Sequence, residues 1–93
     1  MAAEITGFLH IVRIDAAVDP VSAEYRVAFA PVGGRLRGRY ARCQGLDRLT
    51  DLLRRAEIPI PEIERTWRTV TKRRFHAIPR VTLTSARLEE LGL

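Results

Sequence analysis

The chain has 93 residues, 46% of them hydrophobic and 29% charged, with 16 Lys and Arg against 11 Asp and Glu. That length holds one domain, and the apolar content excludes a chain that is disordered throughout. Six Gly, five Pro and one Cys exclude collagen-like, low-complexity and disulfide-framework classes, and the net charge of +5 points toward anionic partners.

The first predicted element is a strand from Gly7 to Asp15. Period 2 puts Phe8, His10, Val12 and Ile14 on one face and Leu9, Ile11, Arg13 and Asp15 on the other. Both faces are partly apolar, so the strand is expected inside a sheet, with Phe8, Val12 and Ile14 assigned to the core. Asp15 to Ala23 reads as a loop turning at Asp19-Pro20. A hairpin follows, with Glu24–Val32 and Arg35–Gln44 flanking Gly33-Gly34, a dipeptide suited to a two-residue turn. That turn would set Arg26 opposite Ala41 and Tyr25 opposite Arg42. Tyr25, Val27, Phe29 and Tyr40 then face the core, while Arg26, Arg37 and Arg39 face outward.

Two helices come next. Leu46, Leu49, Leu52, Leu53 and Ala56 form an apolar stripe stopped at Ile58-Pro59. Asp51 is expected to pair with Arg54 or Arg55. The second helix opens at Pro61 and runs to about His76, with Ile63, Trp67 and Val70 inward and Phe75 packing near its end. Arg65, Arg68, Lys72 and His76 line its outer side, where Glu62 and Glu64 can meet Arg65 and Arg68. The connector Ile58–Pro61 resembles a helix-turn-helix only in spacing, since no specific motif accompanies it and its two prolines are atypical. Arg80 to Thr84 reads as a short strand, and Thr84 or Ser85 can cap a terminal helix carrying Leu88 and Leu91. The expected architecture is α+β over residues 1–93. An antiparallel sheet has three strands, or four with Arg80–Thr84, and two helices cover one face.

Catalytic and metal chemistry is not expected. Cys43, His10 and His76 stand far apart without a paired-ligand motif, so no metal site and no cofactor are predicted. Gly33-Gly34-Arg35-Leu36-Arg37-Gly38 precedes no helix and is not a phosphate loop. The acids are scattered, so no catalytic residues are assigned and the protein is read as non-enzymatic. Cys43 reads as a small packed residue, its thiol made more reactive only if Arg42 lies close. No apolar run approaches the ~18–20 residues needed to span a bilayer. The start Met1-Ala2-Ala3-Glu4 lacks a basic leader, and with a lone cysteine this fits a cytoplasmic protein.

Charge carries the functional reading. Fifteen of the sixteen bases are arginine, and Tyr25–Leu46 holds five arginines without an acid. Guanidinium groups suit phosphate and carboxylate recognition. The leading expectation is binding of nucleic acid or another polyanion through Arg37, Arg39, Arg65, Arg68 and Lys72. The predicted hairpin register leaves the outer sheet face without aromatic rings, which argues against single-strand stacking there. The alternative is a protein-interaction module, meeting an acidic protein or forming a homodimer.

Overall fold

The computed structural model describes residues 3–15, 18–36, 38–72 and 76–93. Eight elements follow one another: β1 (Glu4–Arg13), β2 (Glu24–Pro31), β3 (Ala41–Gln44), α1 (Leu46–Arg55), α2 (Ile60–Thr71), β4 (His76–Ala77), β5 (Arg80–Thr84) and α3 (Ser85–Glu90). The strands form one antiparallel sheet in the order β3-β2-β1, with β4 and β5 together along the far side of β1. The fold is α+β with a short C-terminal helix.

β4 and β5 share one register. Val12 pairs with His76 and Phe8 with Arg80, so the two are halves of a single edge strand interrupted at Ile78-Pro79. Proline has no N–H to give a further strand, and it suits an edge. Its carbonyl still accepts from the Leu9 amide at 3.0 Å.

Pairing between β1 and β2 decides which face of β1 is buried. Leu9 lies opposite Phe29 and Ile11 opposite Val27, and directly opposed residues share a face. Leu9, Ile11, Tyr25, Val27 and Phe29 are essentially inaccessible, and the helices supply Leu49, Leu53, Ile63, Val70 and Leu88 to the same core. Assignment of Phe8, Val12 and Ile14 to the core is therefore corrected. Phe8 and Val12 are half-buried on the other face, and Ile14 is exposed. Arg13 sits buried on the core side at the end of β1, opposite Tyr25. The Tyr25 hydroxyl donates to the Pro20 carbonyl at 2.6 Å, so the buried phenol is satisfied.

The hairpin forms, but its return strand is short and displaced by one residue. A turn does occur at the glycines, where Gly34 N–H donates to the Pro31 carbonyl and Gly33 takes φ +75°. Beyond it the chain stays irregular until Ala41, and Gly38 adopts a second positive φ. Tyr25 then meets Cys43, Arg26 meets Arg42 and Val27 meets Ala41. A two-residue turn would have driven the Arg42 guanidinium toward the core, at a cost of several kcal/mol for an unpaired charge. Burial of Cys43 and Ala41 outweighs the local turn preference. Tyr40 consequently faces outward, half exposed at 50%.

The helix ends are set locally. α1 closes with Ile58 N–H to the Leu53 carbonyl and Glu57 N–H to Arg54, Glu57 taking φ +61° in a position that normally favours glycine. α3 is capped by the Thr84 hydroxyl accepting from the Arg87 amide at 3.1 Å. It ends in the same pattern, Gly92 with φ +77° and Leu93 N–H on the Leu88 carbonyl. On α2 the buried residues are Ile63, Thr66 and Val70. Trp67 is partly buried, and its indole N–H donates to Thr50 of α1 at 2.9 Å, tying the two helices together. α2 stops at Thr71, so His76 is not on that helix but in β4; Phe75 lies outside the described residues. No described helix is long and apolar enough to cross a membrane.

Candidate functional site on the open face of the sheet

The three described helices contribute to the core on the Leu9–Ile11 side, so among the described residues the opposite face of the sheet has no helical cover. Even-numbered positions of β1 and β2 point there, together with alternate residues of β3, β4 and β5. The side chains are Phe8, His10, Val12 and Ile14 from β1, Arg26 and Ala28 from β2, Arg42 from β3, and His76 and Arg80 from the edge strand. Thr6 and Thr82 close one end through a 2.9 Å hydroxyl contact.

The irregular connection between β2 and β3 folds toward this face. Leu36 and Tyr40 join His10, Val12, Ile14, Arg26, Ala28 and His76 around a shallow concavity of about 320 Å³. The Arg26 guanidinium stacks over the Tyr40 ring at 5.0 Å from its centroid, a cation–π contact that fixes both groups. The His10 and His76 rings lie 5.4 Å apart with planes inclined by 36°. Aromatic and cationic side chains thus share one open surface. The predicted absence of rings from the outer face is corrected by the register that turns Tyr40 outward and by the β1 face on which Phe8 lies half-buried.

Not every arginine here is free to meet a ligand. Glu24 accepts from Arg42 Nη2 at 2.8 Å and from Arg26 Nε at 3.0 Å. The Arg42 bond first, then that of Arg26, holds the Glu24 carboxyl below its ordinary 4.5, with desolvation a smaller opposing effect. A depressed carboxylate stabilises the fold above its ordinary value and loses that contribution as pH falls through its folded value. Glu24→Gln is therefore expected to loosen β3, read as faster hydrogen exchange of the β3 amides at neutral pH. The wild type should approach the variant's rates on acidification through the carboxylate range. By contrast, Arg35, Arg39 and Arg80 are exposed and form no ion pair among the described residues.

The sequence-predicted set divides between two layers. Arg39 is exposed in the connection beside Tyr40, and Arg37 lies outside the described residues. Arg65 and Arg68 are exposed on α2, whose inner side packs on the core, and Lys72 caps the end of that helix. Of these, Arg65 lines a groove with His76 at the sheet edge. Arg65 is held by Glu62 at 2.8 Å, as the spacing predicts, whereas the Glu64–Arg68 pair and the Asp51 pairs do not form. Sequence reasoning missed Phe8, Tyr40, His76 and Arg80 as partners on one surface, because their meeting depends on strand pairing rather than spacing.

Cys43 is buried beside Tyr25, and burial pushes its thiol above the ordinary value of 9.0. Arg42 points to the opposite face toward Glu24, so its charge does not activate the thiol. Among the described residues no group of three or more His, Cys, Asp and Glu is placed to hold a metal ion. Compared with known proteins, the chain matches no family model, no curated protein and no solved structure.

Proposed function

We propose that this chain is a binding module for single-stranded nucleic acid, with the open sheet face as the docking surface. The observation that carries the reading is the coincidence on that face of the rings of Phe8 and Tyr40 with Arg80, which forms no ion pair among the described residues, while Arg39 is exposed in the adjoining connection. Bases stack on exposed rings whatever their sequence, while arginines along the backbone release condensed counterions. A duplex offers no base faces to such a surface, so unpaired segments are favoured. Arg68 and Lys72 form a separate basic strip that contributes at most long-range attraction.

A labelled single-stranded oligonucleotide titrated by fluorescence anisotropy tests this. Two phosphate contacts, at Arg39 and Arg80, predict a loss of about sevenfold in affinity between 50 and 200 mM salt. Tyr40→Ala is expected to weaken binding about tenfold, since base–aromatic stacking is worth about 1–3 kcal/mol per base. Arg68→Ala with Lys72→Ala should leave it within about threefold. The reverse pattern, with α2 substitutions abolishing binding and Tyr40→Ala silent, contradicts the open-face assignment.

A second reading has its own support. The concavity is walled largely by Val12, Ile14, Ala28 and Leu36, and Val32 and Ile78 are exposed nearby at 58% and 49%. An apolar surface of this kind suits a second copy of the chain. Sedimentation that shows a dimer lost on Leu36→Glu and Ile14→Glu, with no oligonucleotide binding, would favour it.

A further inference from the structure

The two histidines occupy the centre of the open face, yet stacking and charge steering as described above give them no role. His10 stands on β1 between Phe8 and Val12, and His76 sits opposite Val12 on the neighbouring strand. Their rings come within 5.4 Å across the junction. We propose that His10 and His76 together form a phosphodiester-binding subsite on this face, and that binding draws protons onto the pair. This rests on the single-strand reading above and adds a specific contact and a pH dependence to it.

The surroundings of the pair dictate its response. Arg26 projects from β2 and Tyr40 from the connection, and no carboxylate among the described residues lines the concavity with them. Glu24 is already committed to Arg26 and Arg42. On the α2 side, His76 borders a groove with Glu62 and Arg65, which are paired with each other at 2.8 Å. Arg80 lies four residues further along the same edge strand, without an ion-pair partner among the described residues. A proton on His10 therefore meets His76 and the Arg26 side of the concavity, which no carboxylate lines among the described residues. Burial first, then the charge of His76, holds the His10 imidazole below its ordinary 6.5. In the unliganded protein protonation of His10 is disfavoured.

A phosphodiester reverses that balance. Its negative charge supplies the missing anion, and each imidazolium offers N–H donors where a neutral ring offers one donor and one acceptor. Protons pass from solvent to the imidazoles as the phosphate docks, with no bond made or broken in the ligand. Two donors on adjacent strands are pre-positioned by the sheet, so the contact requires little side-chain ordering.

The test measures affinity for a single-stranded oligothymidylate carrying a pH-insensitive dye, at pH 8 and pH 6 and constant ionic strength. One proton taken up changes affinity by at most tenfold per pH unit, and an increase of about tenfold is expected across the interval. His76→Gln should bind as the wild type does at pH 8 and lose the increase, changing by less than about twofold. NMR titration of the unliganded protein gives an independent readout. His10 should titrate below the ordinary histidine range and move upward in His76→Gln. Binding that is equal at both pH values, or a His10 titration unaffected by His76→Gln, overturns the subsite while leaving the face as a stacking surface. Absence of binding at both pH values overturns the nucleic-acid reading itself.

Discussion

Ile11→Ala is expected to cost the fold about 2–5 kcal/mol, whereas Val12→Ala, one residue along the same strand, should cost about 1 kcal/mol or less. The two side chains are similar in size and both apolar, so composition does not separate them. Position does. Ile11 is wholly inaccessible and paired with Val27, inside the cluster that also holds Leu9 and Phe29. Its removal forfeits transfer energy and leaves a cavity that strands on both sides cannot collapse to fill. Val12 lies on the open face, where truncation only deepens a surface already in contact with water. Against a total stability of about 5–14 kcal/mol for a chain of this length, the first change removes a large share and the second little. Urea unfolding followed by fluorescence of Trp67, the only tryptophan, measures both midpoints. Equal losses, or a greater loss for Val12→Ala, would mean that β1 presents its other face to the core.

Gly7→Ala should destabilise the protein by about 3 kcal/mol or more, beyond the usual range for overpacking because the collision is with main chain. A methyl group at Gly7 would press on the Ala30 carbonyl, and it would stand 2.7 Å from the tip of the Phe29 ring and 2.8 Å from the Pro31 Cα. Phe29 occupies the space that a side chain at residue 7 would take, so the glycine is a packing requirement of the β1–β2 pair. Gly33→Ala is the matched control. Its added methyl would touch nothing, and its cost is confined to the positive φ of +75°, about 1–2 kcal/mol. Thermal or urea unfolding of the two variants should differ clearly, Gly7→Ala being the weaker protein or failing to accumulate as folded material.

Local signals in the sequence carried far. The stripe at Leu49 and Leu53, the stop before Pro59, the strand Arg80–Thr84 and the Thr84 cap each rest on chemistry within a few residues, and each appears in the fold. Long-range pairing was less legible. On β1 both faces are partly apolar, and Arg13 is buried at the strand's end opposite Tyr25. In the hairpin, Gly33-Gly34 offered a tight turn whose register conflicted with burying Cys43 in place of Arg42, and burial prevailed. Both differences moved aromatic residues in the same direction, out of the core and onto the open face. The two-residue strand His76–Ala77 carries no periodicity of its own and is defined only by pairing with β1. Basic residues on α2 were visible from helical spacing, but their separation from Arg39 depends on which side of the sheet the helices cover.

Backbone amide mapping by NMR, with unlabelled single-stranded oligonucleotide added to isotope-labelled protein at low salt, tests the central claim most directly. The account predicts shifts concentrated at Phe8, His10, Arg26, Tyr40, His76 and Arg80, with Glu64, Arg68 and Thr71 of α2 nearly still. Shifts confined to α2, or none on the sheet at low salt, would contradict it.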